Sequence, residues 1–288
     1  MKKLLSLALV AVMLLGAVAL TGCGASGTII VQTNAYFAPF EYYDGATIKG
    51  VDVDIMAKVG AKLGKNIEFK NVDFNLIIDN VASGAICDAG AAGITITPPR
   101  KELVDFSTPY YTSVQYVIFK TDAGLETKTV DGVEYIVWEA LAGMTLGTQT
   151  DTTGWIYADG EIYATEENDY GYAGVLYGTD TELKSYDTAQ LAADAIGSHV
   201  DVVIIDELPA KYITSKNSGL ACLPLYYTGA EGEADAPVEE EYAICVTKGN
   251  EELLAAINEV LAEMLVEDEN GETEIEKLVM KHMGLDEE

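Results

Sequence analysis

Two charged residues far apart in the chain have neighbours that suit ligand chemistry. Arg100 follows Thr97-Pro98-Pro99, where threonine suits a helix N-cap and proline suits the first turn, whose N–H groups lack partners anyway. A cation so near a helix start faces the positive end of the dipole. Arg100 is therefore either an exposed arginine or an anion fork. As a fork, its guanidinium would sit beside free helix-start amides and the hydroxyls of Thr95 and Thr97, and would clamp a carboxylate through two parallel hydrogen bonds. Asp206 ends the apolar run Val202-Val203-Ile204-Ile205, and Glu207-Leu208-Pro209 opens a helix after it. It is either a plain N-cap or a carboxylate at the mouth of a sheet, where α/β proteins place ligand contacts. One positive and one negative pole together match a zwitterion. The aromatics Tyr36, Phe37 and Phe40 around Pro39, and Phe74 after Asp73, are either core packing or the wall of a pocket.

Catalytic alternatives find little support. The sequence has no G-x-S-x-G, H-E-x-x-H, Walker loop or dinucleotide fingerprint, and nothing proposes a nucleophile–base pair. Its four cysteines (Cys23, Cys87, Cys222, Cys245) form no Cys-x-x-Cys, and His199 and His282 are distant from each other. No metal site or cofactor is expected. The formal charge of −30, from 17 Lys+Arg against 47 Asp+Glu, repels phosphate backbones, and no basic cluster offers an exception. Nucleic acid is thereby excluded as a partner.

The elements that must position these residues alternate. Thr28–Thr33, Ile67–Phe69, Asp88–Thr97, Gln115–Lys120, Met144–Thr148 and Val200–Ile205 read as strands. Between them lie helices over Asp52–Leu63 with Gly64 at its stop, Leu76–Ala82 before Gly84, and Asp187–Ile196 before Gly197. Asn250–Val266 and Thr273–Met283 close the chain. The pattern predicts an α/β fold with mostly parallel sheet covered by helices. Val130-Asp131-Gly132-Val133 reads as a tight hairpin, and Glu161–Thr181 as a hairpin pair or a long loop. Glu231–Glu241, with six acids and Pro237, reads as an exposed connection. Cys222 and Cys245 lie in apolar runs, either as free buried thiols or bridged to each other.

The N-terminus opens with Met1-Lys2-Lys3 and the apolar run Leu4–Leu20, the form of an export signal or of a short membrane span. Leu20-Thr21-Gly22-Cys23 resembles a bacterial lipobox. That resemblance implies a lipoprotein signal peptide over 1–22, acylation of Cys23, and a tether over 23–27. The protein would be lipid-anchored at the extracytoplasmic face of the cell membrane.

Four further stretches, in order, carry a second resemblance: Phe37-Ala38-Pro39-Phe40-Glu41, Gly50-Val51-Asp52-Val53-Asp54, Ala92-Gly93-Ile94-Thr95-Ile96-Thr97-Pro98-Pro99-Arg100, and Asp105-Phe106-Ser107-Thr108-Pro109-Tyr110-Tyr111. With Asp201–Asp206, they resemble the polar amino-acid-binding proteins of ABC importers, the extracellular solute-binding proteins of family 3. The resemblance implies a two-lobed type II periplasmic-binding fold. Lobe 1 would be 28–111 plus 242–288 and lobe 2 would be 116–238. Crossings near Thr112–Gln115 and Glu239–Glu241 would act as the hinge around a cleft. Arg100 would hold a ligand α-carboxylate with Thr95 and the Thr153 amide, while the Gly93 carbonyl and Asp206 would receive the ammonium group. Phe37 and Phe74 would sandwich the side chain, with Asn34 and Gln149 near its tip. Asn34 stands where binders of basic amino acids typically carry an acid, so a neutral or polar amino acid is expected. Asp151 stands where a glycine is usual. A monomer that delivers its amino acid to an ABC permease with its ATPase is the implied role, without catalysis.

Overall fold

The computed structural model describes residues 27–163 and 174–284. The expected signal peptide, Cys23 and nearly all of the tether lie outside the described residues, as does the middle of the Tyr- and Gly-rich segment.

Two sheets organise the chain. The first is five-stranded, in the order Asn66–Asn71, Thr28–Thr33, Ala89–Gly90, Cys245–Thr247 and Val104–Phe106. Its first three strands are parallel, and Cys245–Thr247 runs antiparallel to both of its neighbours. The second sheet centres on Glu182–Tyr186, Thr145–Gln149, Val202–Asp206, Tyr111–Lys120 and Leu220–Tyr227. Its Thr145–Gln149 strand is parallel to both neighbours, whereas Tyr111–Lys120 is antiparallel to both of its own. This two-lobed α/β architecture is the fold expected from the sequence.

The chain passes between the sheets along two strands that pair with each other. Glu239–Tyr242 runs antiparallel to the start of Tyr111–Lys120, with Glu240 opposite Ser113 and Tyr242 opposite Tyr111. The segment 231–241 is therefore not simply an exposed connection. Once Glu239–Tyr242 is a strand, alternate side chains must point to opposite faces. Glu240 and Tyr242 turn inward and are buried, while Glu239 and Glu241 stay exposed.

Helix Val51–Leu63 buries Val51, Ile55, Met56 and Val59 along one face and ends at Gly64 in a left-handed cap. Its entry requires Gly50: at φ 138°, an added Cβ would fall 2.0 Å from the Phe40 carbonyl oxygen. Helix Glu251–Met264 packs beside it through Leu253, Ile257, Val260 and Leu261. Thr273 caps Glu274–Met283 in a reciprocal box with Glu276.

Several local expectations change. The run 88–97 is a strand only at Ala89–Gly90, because Gly93 turns the backbone at φ +54°. The helix expected over Asp187–Ile196 covers Ala189–Asp194 and is capped by Thr188, whose side chain accepts from the Leu191 N–H. Glu161–Tyr163 ends a helix, Thr153–Tyr163, instead of starting a hairpin. The tight hairpin at Asp131-Gly132 forms as predicted, between Lys128–Val130 and Val133–Val137. Cys87, Cys222 and Cys245 are free thiols, and Cys222 and Cys245 belong to different sheets.

Candidate functional site

The nine positions that the resemblance assigns to a ligand all line one cleft between the lobes, whereas Phe40 belongs to the core and Tyr36 is exposed. Asn34, Phe37, Phe74, Gly93, Thr95 and Arg100 come from the first lobe; Gln149, Thr153 and Asp206 come from the second.

Arg100 is buried at the third position of the short helix Pro98–Leu103, whose N-cap Thr97 accepts the Arg100 N–H. This is no exposed arginine. Its guanidinium donates to the Thr95 carbonyl and, across the cleft, to the Asp151 carbonyl, each at 2.9 Å. The same group lies 5.5 Å from the centroid of the Phe74 ring, within cation–π range. Asp151 has φ +59°, a left-handed conformation that aspartate tolerates better than most residues. That geometry explains why the position suits glycine, and its carbonyl is what Arg100 meets.

Asp206 occupies the N-cap position of helix Glu207–Lys216 but makes no side-chain cap. Its carboxylate turns into the cleft instead and accepts from Gln115 Nε2 at 3.0 Å. Burial, then the neighbouring Glu240 charge and a hydrogen bond with it, hold the Asp206 carboxyl well above the usual carboxylate range.

Gly93 donates its N–H to buried Asp52 at 3.0 Å, and an added Cβ would come within 2.7 Å of the Phe37 ring. Phe37 in turn packs against Phe40 and Tyr242. Asn34 donates to the Val72 carbonyl and accepts from Gln149 Nε2 at 3.0 Å, a bond between the lobes. Thr95 and Thr153 lie 3.5 Å apart, oxygen to oxygen, also across the cleft.

Two acids in this region were not singled out as site residues. Glu240 Oε2 accepts both threonine hydroxyls, Thr95 and Thr153, each at 2.5 Å. Glu41 lines the cavity, is completely buried, and neither of its carboxyl oxygens has a hydrogen-bond partner. Burial first, then the charges of Asp52 and Asp206, raise its carboxyl well above the ordinary range. Nothing in the acid-rich stretch singled out Glu240, whose burial follows from the register of its strand opposite Ser113. Glu41 closes the Phe37-Ala38-Pro39-Phe40-Glu41 stretch that carries the resemblance, and that is the signal that could have found it. Among the described residues, no group of three or more His, Cys, Asp or Glu is arranged to hold a metal ion.

Comparisons with known proteins agree with this architecture. The arginine-binding extracellular protein ArtP of Bacillus subtilis is 29% identical over 271 residues, covering 91% of this chain and 92% of ArtP. The L-cystine-binding protein TcyJ of Escherichia coli K12 is 25% identical over 240 residues, covering 83% and 77%. Among solved structures, the amino acid ABC transporter substrate-binding protein AbpA of Streptococcus pneumoniae, bound to L-arginine, aligns with a TM-score of 0.70. It is 25% identical and covers 90% of this chain and 95% of AbpA. An ancestral arginine-binding protein bound to glutamine aligns with a TM-score of 0.66 at 30% identity, covering 90% and 98%. The profile of bacterial extracellular solute-binding proteins, family 3, matches residues 29–283, and the chain belongs to that family.

Proposed function

We propose that this protein is a lipid-anchored, monomeric receptor that captures an amino acid by closure of its cleft and delivers it to an ABC permease with its ATPase. The observation that carries this reading is the charge pattern of the inter-lobe cavity, with Arg100 and Asp206 contributed by opposite lobes. An α-amino acid has a carboxylate and an ammonium group that match both. A ligand that touches both lobes favours the closed arrangement, because only there are both sets of contacts made. The residues 28–111 with 242–288, and 116–238, would then move as two bodies about the paired strands between the sheets. Binding without chemistry is the proposed activity.

For the ligand's side chain, the linked amides of Asn34 and Gln149 favour a neutral or polar group that can exchange hydrogen bonds with them. One observation favours a second reading, a cationic side chain: the unpartnered Glu41 carboxyl in the same cavity. A cation would supply its partner and offset the cost of ionising it in a buried site. The deciding experiment is thermal unfolding of the full chain in detergent with each of the twenty amino acids. A ligand that binds only the native state raises Tm with concentration. A rise with L-glutamine or L-asparagine supports the first reading, and a larger rise with L-arginine or L-lysine supports the second. No rise with any amino acid overturns the function.

A further inference from the structure

Glu240 is buried on Glu239–Tyr242, one of the two paired strands that pass between the sheets. Its carboxyl accepts from three donors. Oε1 takes the side-chain Nε2 of Gln115, which stands opposite Asp206 in the second sheet. Oε2 takes two hydroxyls, those of Thr95 and Thr153, each at 2.5 Å. Both threonines are buried and line the cleft, but they are anchored differently. Thr95 bridges to Tyr242, while the Ile96 N–H donates to the Glu241 carbonyl and the Ala243 N–H to that of Ile94. These bonds fasten Thr95 to the strand that carries Glu240. Thr153 instead opens helix Thr153–Tyr163, whose Tyr157, Ala158 and Ile162 sit in the second lobe's core with Leu146, Val202 and Ile204.

We propose that Glu240 is a positioning residue that clasps the closed cleft from behind. Gln115 and Thr95 hold its carboxyl in place, and the Thr153 hydroxyl is the partner gained when the lobes close and lost when they open. This rests on the cleft-closure reading above. The physical case is a count of donors and acceptors. A threonine hydroxyl has one proton to donate, and here both protons go to the same carboxyl oxygen. The two lobes therefore share one acceptor that belongs to the strand between them. Hydrogen bonds to a carboxylate are roughly twice as strong as neutral ones, so this contact outweighs the amide bond from Gln149 to Asn34. A carboxyl already fixed by two donors loses little further freedom when the third arrives. A ligand meeting the open cleft does not involve the clasp, whereas a ligand leaving the closed cleft must wait for it to break. The clasp thus lengthens residence of the ligand without slowing its capture.

The test uses the full chain in detergent and has two arms. The first needs no ligand. Nitroxides are attached through a genetically encoded keto amino acid at the exposed positions of Glu68 and Glu182, on the outermost strands of the two sheets. Pulsed electron resonance then reads the separation of the lobes. Thr153→Val, which exchanges the hydroxyl for a methyl group, is expected to reduce the short-distance population about fivefold or more, and Glu240→Ala to do the same. Thr153→Ser keeps the hydroxyl and should keep that population. Equal distance distributions in the parent and Thr153→Val overturn the clasp, whether or not Glu240→Ala folds. In the second arm, stopped-flow fluorescence follows binding and release of L-glutamine and L-arginine. Thr153→Val is expected to speed dissociation about tenfold and to leave association within about twofold of the parent. The double variant with Glu240→Ala should release ligand no faster than Glu240→Ala alone, because both changes break the same bond. Unchanged dissociation, or effects of the two substitutions that multiply in full, overturn the proposal. If no amino acid binds, the function proposed above falls, while the distance measurement still decides the clasp.

Discussion

The Gln149 side-chain amide donates to Asn34 Oδ1 at 3.0 Å, and this bond joins the two lobes directly across the cavity. The Arg100 guanidinium makes a second such connection to the Asp151 carbonyl. Each hydrogen bond is worth only about 1 kcal/mol net, because opening exchanges it for water. On the proposed reading, the protein alone would bias the closed arrangement only weakly, and a ligand that engages both lobes would decide the equilibrium.

Arg100→Ala is expected to weaken amino-acid binding by at least ~2–3 kcal/mol, roughly 30- to 150-fold, since it removes charge-assisted hydrogen bonds in a buried site. The fold should survive, because helix Pro98–Leu103 keeps its Thr97 cap and the core clusters do not include Arg100. Calorimetry reads the affinity and circular dichroism the fold. Near-unchanged affinity would remove Arg100 from the site.

Asp151 separates backbone geometry from side-chain chemistry. Its φ of +59° costs about 1 kcal/mol for a residue with a Cβ, and glycine relieves that while gaining freedom in the unfolded chain. Asp151→Gly should leave stability within about 0.5 kcal/mol of the parent. Asp151→Val, β-branched at the same φ, should cost about 2 kcal/mol. Urea unfolding distinguishes the two, and equal stabilities would contradict a geometric role.

Buried acids make stability depend on pH in an unusual direction. Burial raises the Asp52 carboxyl from 3.8 to about 6, although Tyr110 and Gly93 donate hydrogen bonds to it. Glu41 and Asp206 are raised as well. A raised folded pKa gives stability that is full below the unfolded pKa and lost as pH climbs through the folded one. Asp52 alone should therefore remove about 2 kcal/mol between pH 4 and pH 7. Asp235 and Asp268, lowered to about 2 chiefly by their lysine partners, act oppositely, but their contribution is lost only below pH 4. The urea midpoint at pH 4.5 should exceed that at pH 7.5, and the reverse order would disprove the assignment.

Cys23→Ala should abolish lipid attachment. Membrane fractionation and metabolic labelling with a palmitate analogue are expected to show label on the parent and none on the variant. Label that persists on the variant would exclude Cys23 as the acylated residue.

Much of the cavity was legible because its residues follow strand ends or helix starts marked by proline, glycine and threonine. Arg100 after Thr97-Pro98-Pro99 and Asp206 after four apolar residues are examples. Local sequence could not reveal what depends on pairing between distant strands. Glu240 sits among Glu239 and Glu241 in an acid-rich stretch, and only its register opposite Ser113 shows which of the three is buried. Gln115 opens what looked like an ordinary apolar strand, and its role follows from being opposite Asp206. The Asp88–Thr97 strand was overestimated because its apolar content serves a cleft wall and not a ladder.

The strand Cys245–Thr247 lies between Ala89–Gly90 and Val104–Phe106, although the chain makes the whole second sheet before reaching it. During synthesis the first sheet is therefore left open along an unpaired edge until residues 245–247 emerge, by which point every strand of the second sheet, the last ending at Tyr242, is already available. The lobe that begins first must finish last. Truncation near the C-terminus would consequently damage the earliest-made half of the protein, and a chaperone that shields an exported chain would have most to protect there.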